Sequence, residues 1–177
     1  MPSQYHAAAT EKFTPATLDA LDEDIRSVFT ADKMITPDDV RGTFAMLDEA
    51  ILKRGWPTLR QARGKVIFLV DQRPVGPVYL QGHPSLRGRV SFTNATPGQP
   101  DCAFIEENDG SQQEIAALVR EGYLIRTRTD ADTKEARSGS TTRRDAALAN
   151  GAQLSTDYPA SEPSGWNAQG TDWRSSE

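Results

Sequence analysis

The uninterrupted apolar run Val66-Ile67-Phe68-Leu69-Val70 stands between Lys65 and Asp71, and it limits what the chain can fold into. The run is short for a helix and does not alternate, which is how a strand covered on both faces reads. Such a strand belongs inside a parallel sheet.

Helical signals surround it. Thr14-Pro15 opens a segment in which Leu18, Leu21, Ile25 and Val28 recur at helical spacing, with Thr14 as N-cap and Pro15 in the first turn. Thr36-Pro37-Asp38-Asp39 repeats that cap chemistry, and after Gly42 the residues Phe44, Leu47 and Ile51 form a second stripe ending at Lys53, Arg54 and Gly55. A short helical turn over 58–63 stops at Gly64. Residues 72–89 are dense in proline and glycine and read as a long loop. Ser111-Gln112-Gln113-Glu114 has capping-box spacing ahead of Ile115, Leu118 and Val119, and Gly122 ends that helix before a strand. Residues 142–145 cap a further helix that Gly151 ends. The reading is α/β, with four parallel strands near 66–70, 90–94, 123–128 and 153–157 and helices between them. Local periodicity leaves open a small open sheet or half of an eight-stranded barrel.

Every Leu, Ile, Val and Phe lies between Phe13 and Leu154. One compact unit over 13–159 is therefore expected, with a loose N-terminal tail over 1–12 and a disordered tail over 160–177. A net charge of -5, from 25 acidic against 20 basic residues, argues against nonspecific nucleic-acid binding, which needs cations to replace phosphate counterions. Small molecules, metal ions or proteins remain as partners. The single Cys102 offers neither an intrachain disulfide nor a thiolate cluster. No stretch approaches the length of an apolar membrane span, and the N-terminus lacks the basic-then-apolar run of a signal peptide. As written, the chain is expected to be cytoplasmic, with its localisation otherwise undetermined.

In parallel α/β architectures, ligands gather at the carboxyl ends of strands. The polar residues expected there are Asp71, Asn94, Arg126, Arg128, Asp130 and Asp157. Arg126 and Arg128 alternate with Thr127 and Thr129, so both project from one strand face. Together they could hold an anion such as phosphate, or they could be neutralised by Asp130 or Glu106. The acidic stretches Glu106-Glu107-Asn108-Asp109-Gly110 and Asp130-Ala131-Asp132 invite a calcium reading, but neither fits an EF-hand loop. Turn and helix-cap roles are expected for these residues. Of the two histidines, His6 lies in the N-terminal tail and His83 between Gly82 and Pro84, where turn packing is the expected role. No catalytic or metal-binding residue is assigned. The chain contains no G-x-S-x-G elbow, no phosphate loop, no G-x-G-x-x-G and no H-E-x-x-H.

The stretches FTPATLDALDEDIRSVF, ITPDDVRG, GWPTLRQARGKVIFLVD, HPSLRGRVSFTN and GYLIRTRTDADTKEARSGSTTRRDAALANGAQLSTDYP resemble the C-terminal half of bacterial calcium-dependent phosphoinositide phospholipases C. The last stretch is the most specific, since strand, arginine pair, acidic loop, helix and S-T-D-Y-P follow in order. The family is similar to glycerophosphodiester phosphodiesterases, so the resemblance implies a (β/α)8 TIM barrel whose second half these strands form. It implies a phosphoric diester hydrolase of lipid metabolism, acting on a phosphoinositide or another phosphodiester, with Ca²⁺ as cofactor of the complete enzyme. The family's catalytic histidines come from early strands, so the chain is expected to be an incomplete copy, inactive alone. Its partner would be the missing N-terminal half-barrel, or a second copy through self-association. The complete family protein is compatible with secretion. The alternative is a noncatalytic half-barrel that binds a phosphorylated ligand or pairs with another half-barrel.

Overall fold

The computed structural model describes residues 12–156. His6, Asp157 and the tails expected over 1–12 and 160–177 lie outside them, save Lys12. The described residues group into two compact units that divide between Ala103 and Phe104. Each unit has its own parallel sheet.

In the first unit, α1 spans Pro15–Val28 behind the expected cap, the Thr14 hydroxyl accepting the Thr17 amide while Thr17 answers the Thr14 amide. Helices α2 (Pro37–Arg41), α3 (Leu47–Lys53) and α4 (Leu59–Ala62) follow, α2 and α4 opening on the same reciprocal box at Thr36 and Thr58. Strand β1, Phe68–Val70, pairs in parallel with β2, Ser91–Thr93, in the register Phe68↔Ser91 and Val70↔Thr93. β2 is buried throughout, whereas all of β1 is only half-buried. The expectation of a strand covered on both faces therefore fails for 66–70: β1 is only half-buried and Ile67 is exposed, although β2 pairs along the strand and Val66 forms a parallel bridge with Met34.

Residues 72–89 also differ from the expected loop. They wind into two 3₁₀ turns, Arg73–Val75 and Pro84–Leu86, around helix α5, Gly76–Tyr79. Each of these turns carries a proline at one of its first two positions. Proline there loses no hydrogen bond and arrives with a helical φ, so it starts helices that a breaker reading would deny. Behind this segment, Arg89 is 1 % exposed. Its Nε donates to the Tyr79 carbonyl at 2.8 Å, and its Nη1 reaches Asp19 at 2.6 Å and Asp22 at 3.2 Å. The guanidinium lies 4.3 Å from the Tyr79 ring centre. The Tyr79 hydroxyl donates to Asp22 and accepts the amides of Val90 and Ser91. This knot ties α1 to α5 and to the start of β2.

The second unit orders its strands β3-β4-β5, with β3 at Phe104–Glu106, β4 at Leu124–Arg128 and β5 at Leu154–Thr156, all parallel. β3 is an additional strand, so the described residues hold five strands where four are expected. Helix α6, Gln112–Glu121, crosses from β3 to β4 behind the Ser111–Glu114 box. After β4 come α7, Lys134–Ser138, and α8, Thr142–Asn150. Gly122 and Gly151 end α6 and α8 at φ 104° and 81°, where a side chain would strain the backbone. Helices α6 and α8 pack on β4 and on each other. Along β4, Ile125 and Thr127 are buried while Leu124, Arg126 and Arg128 are half-buried on the opposite face, the alternation a pleated strand imposes. The α/β class with parallel strands holds in both units.

Candidate functional site

The expected strand-end residues fall in both units. In the first, Asn94 extends β2: its amide donates to the Val70 carbonyl and its side-chain Nδ2 to the Asp71 carbonyl, both at 2.9 Å. Asp71 and Asn94 therefore meet at the carboxyl end of β1 and β2. A recess of about 240 Å³ opens there, lined by Arg73, Asn94, Thr96, Gln99 and Asp101 among others. Asp101 is almost buried and accepts the Thr93 hydroxyl at 2.7 Å. His83 hydrogen-bonds through Nδ1 to the Arg87 carbonyl at 2.7 Å, the turn-packing role expected of it.

In the second unit, Arg126 and Arg128 share one face of β4 as their alternation requires. Arg126 Nη1 pairs with Glu106 Oε1 at 2.5 Å, and its Nη2 donates to the Thr156 hydroxyl at 3.2 Å. Arg128 Nη2 pairs with Asp109 Oδ1 at 2.6 Å. Glu106 is thus a neutralising partner for Arg126, whereas Asp109, and not Asp130, pairs with Arg128. The reason lies in the loop after β4. Asp130 is buried and turns its two oxygens to the amides of Glu135 and Ala136, closing the first turn of α7. Glu135 answers by accepting the Ala131 amide at 2.8 Å. That bond first, and then the neighbouring Asp130 side chain, hold the Glu135 carboxyl below the usual carboxylate range. Asp132 and Thr133 in this loop take φ 57° and 61°, a conformation costly for a β-branched residue and held by the contacts around it.

The sequence alone marks neither Asp109 nor Arg143 as a partner of these arginines. Arg143, near the start of α8, donates to Asp109 Oδ1 at 2.8 Å and to the Asn108 carbonyl at 3.1 Å. Arg128 chiefly, and Arg143 after it, hold the Asp109 carboxyl below its ordinary range. The pairing spans sequence distances that no local pattern reports.

The acidic stretches do not make a cation site. Glu106 faces Arg126, Asp109 faces two arginines, and Asp130 caps α7 with both oxygens. A Ca²⁺ site needs six to eight oxygen ligands converging on one point. Among the described residues, no group of three or more His, Cys, Asp or Glu stands where it could hold a metal ion. Also among them, no helix is long and apolar enough to cross a membrane.

A solved calcium-dependent phosphoinositol-specific phospholipase C from the Gram-negative bacterium Pseudomonas sp., described in apo form and as a myo-inositol complex, is similar in fold. The TM-score is 0.55 and the identity 16 %, over 77 % of this chain and 51 % of that one. The chain thus spans about half the length of the structure it matches. No curated protein matches the chain. The model of the family described as phosphoinositide phospholipase C, Ca²⁺-dependent, matches residues 1–171. With a match of that extent, the chain belongs to the Ca²⁺-dependent phosphoinositide phospholipase C family.

Proposed function

We propose that these parallel strands form part of a (β/α)8 barrel, and that their carboxyl ends bind the phosphorylated headgroup of a phosphoinositide in a phosphodiester-cleaving enzyme. The observation that carries this reading is the pair Arg126 and Arg128, half-buried on one face at the carboxyl-terminal end of β4. That is the end at which barrel enzymes bind their ligands. Two guanidiniums there match the charge and fork geometry of a phosphate, and a partly desolvated position strengthens them where phosphoryl charge develops. Asp71 and Asn94 suit hydroxyl recognition at the end of β1 and β2, and Asp130 shapes the loop that follows the arginines. The family is Ca²⁺-dependent, but the donor set described here does not fit Ca²⁺. The residues proposed here therefore act on the ligand itself.

Replacing Arg128 by Ala is expected to weaken the binding of myo-inositol 1-phosphate at least tenfold, measured by isothermal titration calorimetry on the full chain. A hydrogen bond to a charged group contributes about 1.5 to 3 kcal/mol, and about 1.4 kcal/mol already gives a factor of ten. Thermal stability should change little, since a partly exposed ion pair contributes at most about 1 kcal/mol. Unchanged affinity with a large loss of stability would make Arg128 a structural ion-pair partner and end the phosphate reading.

A further inference from the structure

We propose that Arg128 and Arg143 form a two-arginine site for a phosphate group, which Asp109 occupies as an internal carboxylate that the incoming phosphate displaces. The proposal deepens the reading of β4 as phosphate-binding and rests on it.

Arg128 comes from the end of β4 and Arg143 from the start of α8, yet both guanidiniums converge on the same atom, Asp109 Oδ1, at 2.6 and 2.8 Å. Two cations therefore share one carboxylate oxygen. Glu135 lies farther off, its Oε1 3.8 Å from Arg143 Nη1. The arginines are the fixed part of the arrangement. Their side chains are 31 % and 29 % exposed, against 69 % for Asp109. Arg143 is further anchored on the Asn108 carbonyl. An exposed carboxylate held only by such pairs is weakly retained, because each pair contributes little in water. A phosphate offers three terminal oxygens and up to two negative charges, so it can serve both forks at once where a single carboxylate oxygen cannot.

The recess bounded by Asp109, Thr127, Arg128, Arg143 and Asn150 measures about 90 Å³. That is room for several waters, and so for a phosphate group. A free phosphate ion and the phosphate of an inositol headgroup offer the same chemistry.

The test is calorimetry on the full chain in a buffer free of competing anions, with inorganic phosphate and myo-inositol 1-phosphate as separate ligands. Asp109→Asn keeps the side chain's size and removes the competing charge, and it should tighten binding about tenfold. Arg143→Gln should weaken it by a similar factor. Tighter binding of the inositol phosphate than of phosphate would identify a headgroup as the source, whereas equal affinities would identify bare phosphate; either supports the site. Affinity unchanged or lowered in Asp109→Asn overturns the proposal, as does the absence of measurable binding by both wild type and Asp109→Asn. Should Arg128→Ala weaken binding while Asp109→Asn and Arg143→Gln do not alter it, the phosphate-binding role of β4 survives and the displaceable carboxylate does not. Should Arg126→Ala and Arg128→Ala leave binding intact, the parent reading itself fails.

Discussion

Replacing Arg89 by Ala is expected to destabilise the first unit by about 3–5 kcal/mol, the cost of breaking a buried ion pair from one side. Arg89 is 1 % exposed and Asp22 only 3 %. Removing the guanidinium leaves the Asp22 carboxylate desolvated, with the Tyr79 hydroxyl as its remaining partner among those described. The substitution also deletes the donor to the Tyr79 carbonyl and the cation over the Tyr79 ring. Urea unfolding followed by circular dichroism measures the loss. A companion variant, Arg89→Met with Asp22→Leu, removes both charges and should recover much of the stability, because the penalty comes from the unpaired charge. A loss below about 1 kcal/mol for Arg89→Ala, the range of an exposed pair, would mean that water reaches Asp22 and that this knot is not a buried anchor.

Tyr79 sets the second large effect, at alkaline pH. Burial first, and then its bond to Asp22, push the phenol up from the ordinary 10.0 to about 12. The folded state therefore keeps its proton after the unfolded chain has lost its own. Between those values the folded chain binds more protons than the unfolded one, so stability falls as pH rises. The stabilisation is fully present below about pH 10 and is lost on approach to about pH 12. A shift of about 2 units corresponds to about 2.7 kcal/mol. Comparing the wild type with Tyr79→Phe over this window cancels the other groups that titrate there. The wild type should lose up to that amount more than the variant, although the variant begins less stable because the Val90 and Ser91 amides lose their acceptor. Parallel curves for the two proteins would contradict a buried, neutral Tyr79.

Much of the helical framework is legible in the sequence because caps are local. Thr14-Pro15, Thr36-Pro37 and Ser111 with Glu114 each place a side-chain oxygen where the first orphan amides need one, and the helices begin there. β3 escapes notice because its apolar run, Cys102-Ala103-Phe104-Ile105, is short and lies between a proline- and glycine-rich turn and an acidic stretch. α7 escapes because Lys134–Ser138 carries no apolar stripe; its first turn is secured by Asp130 from outside the helix. At the site, the shared face of Arg126 and Arg128 follows from strand alternation alone. Of their partners, Glu106 is one the sequence suggests, whereas Asp109 comes from the loop after β3 and Arg143 from a helix, which no local pattern links to them. The Asp22–Tyr79–Arg89 knot is likewise non-local, drawn from α1, α5 and the residue two positions before β2 and joined only by folding.

The most direct measurement is a nuclear magnetic resonance titration of the ¹⁵N-labelled full chain with myo-inositol 1-phosphate, following backbone amides and the arginine Nε–Hε signals. Saturable shifts are expected to gather at the carboxyl ends of the second unit's strands, largest at Arg126 and Arg128. Shifts that are absent at millimolar ligand, or that gather on surfaces away from the strand ends and leave both arginines unmoved, would contradict a phosphorylated-headgroup site in this chain.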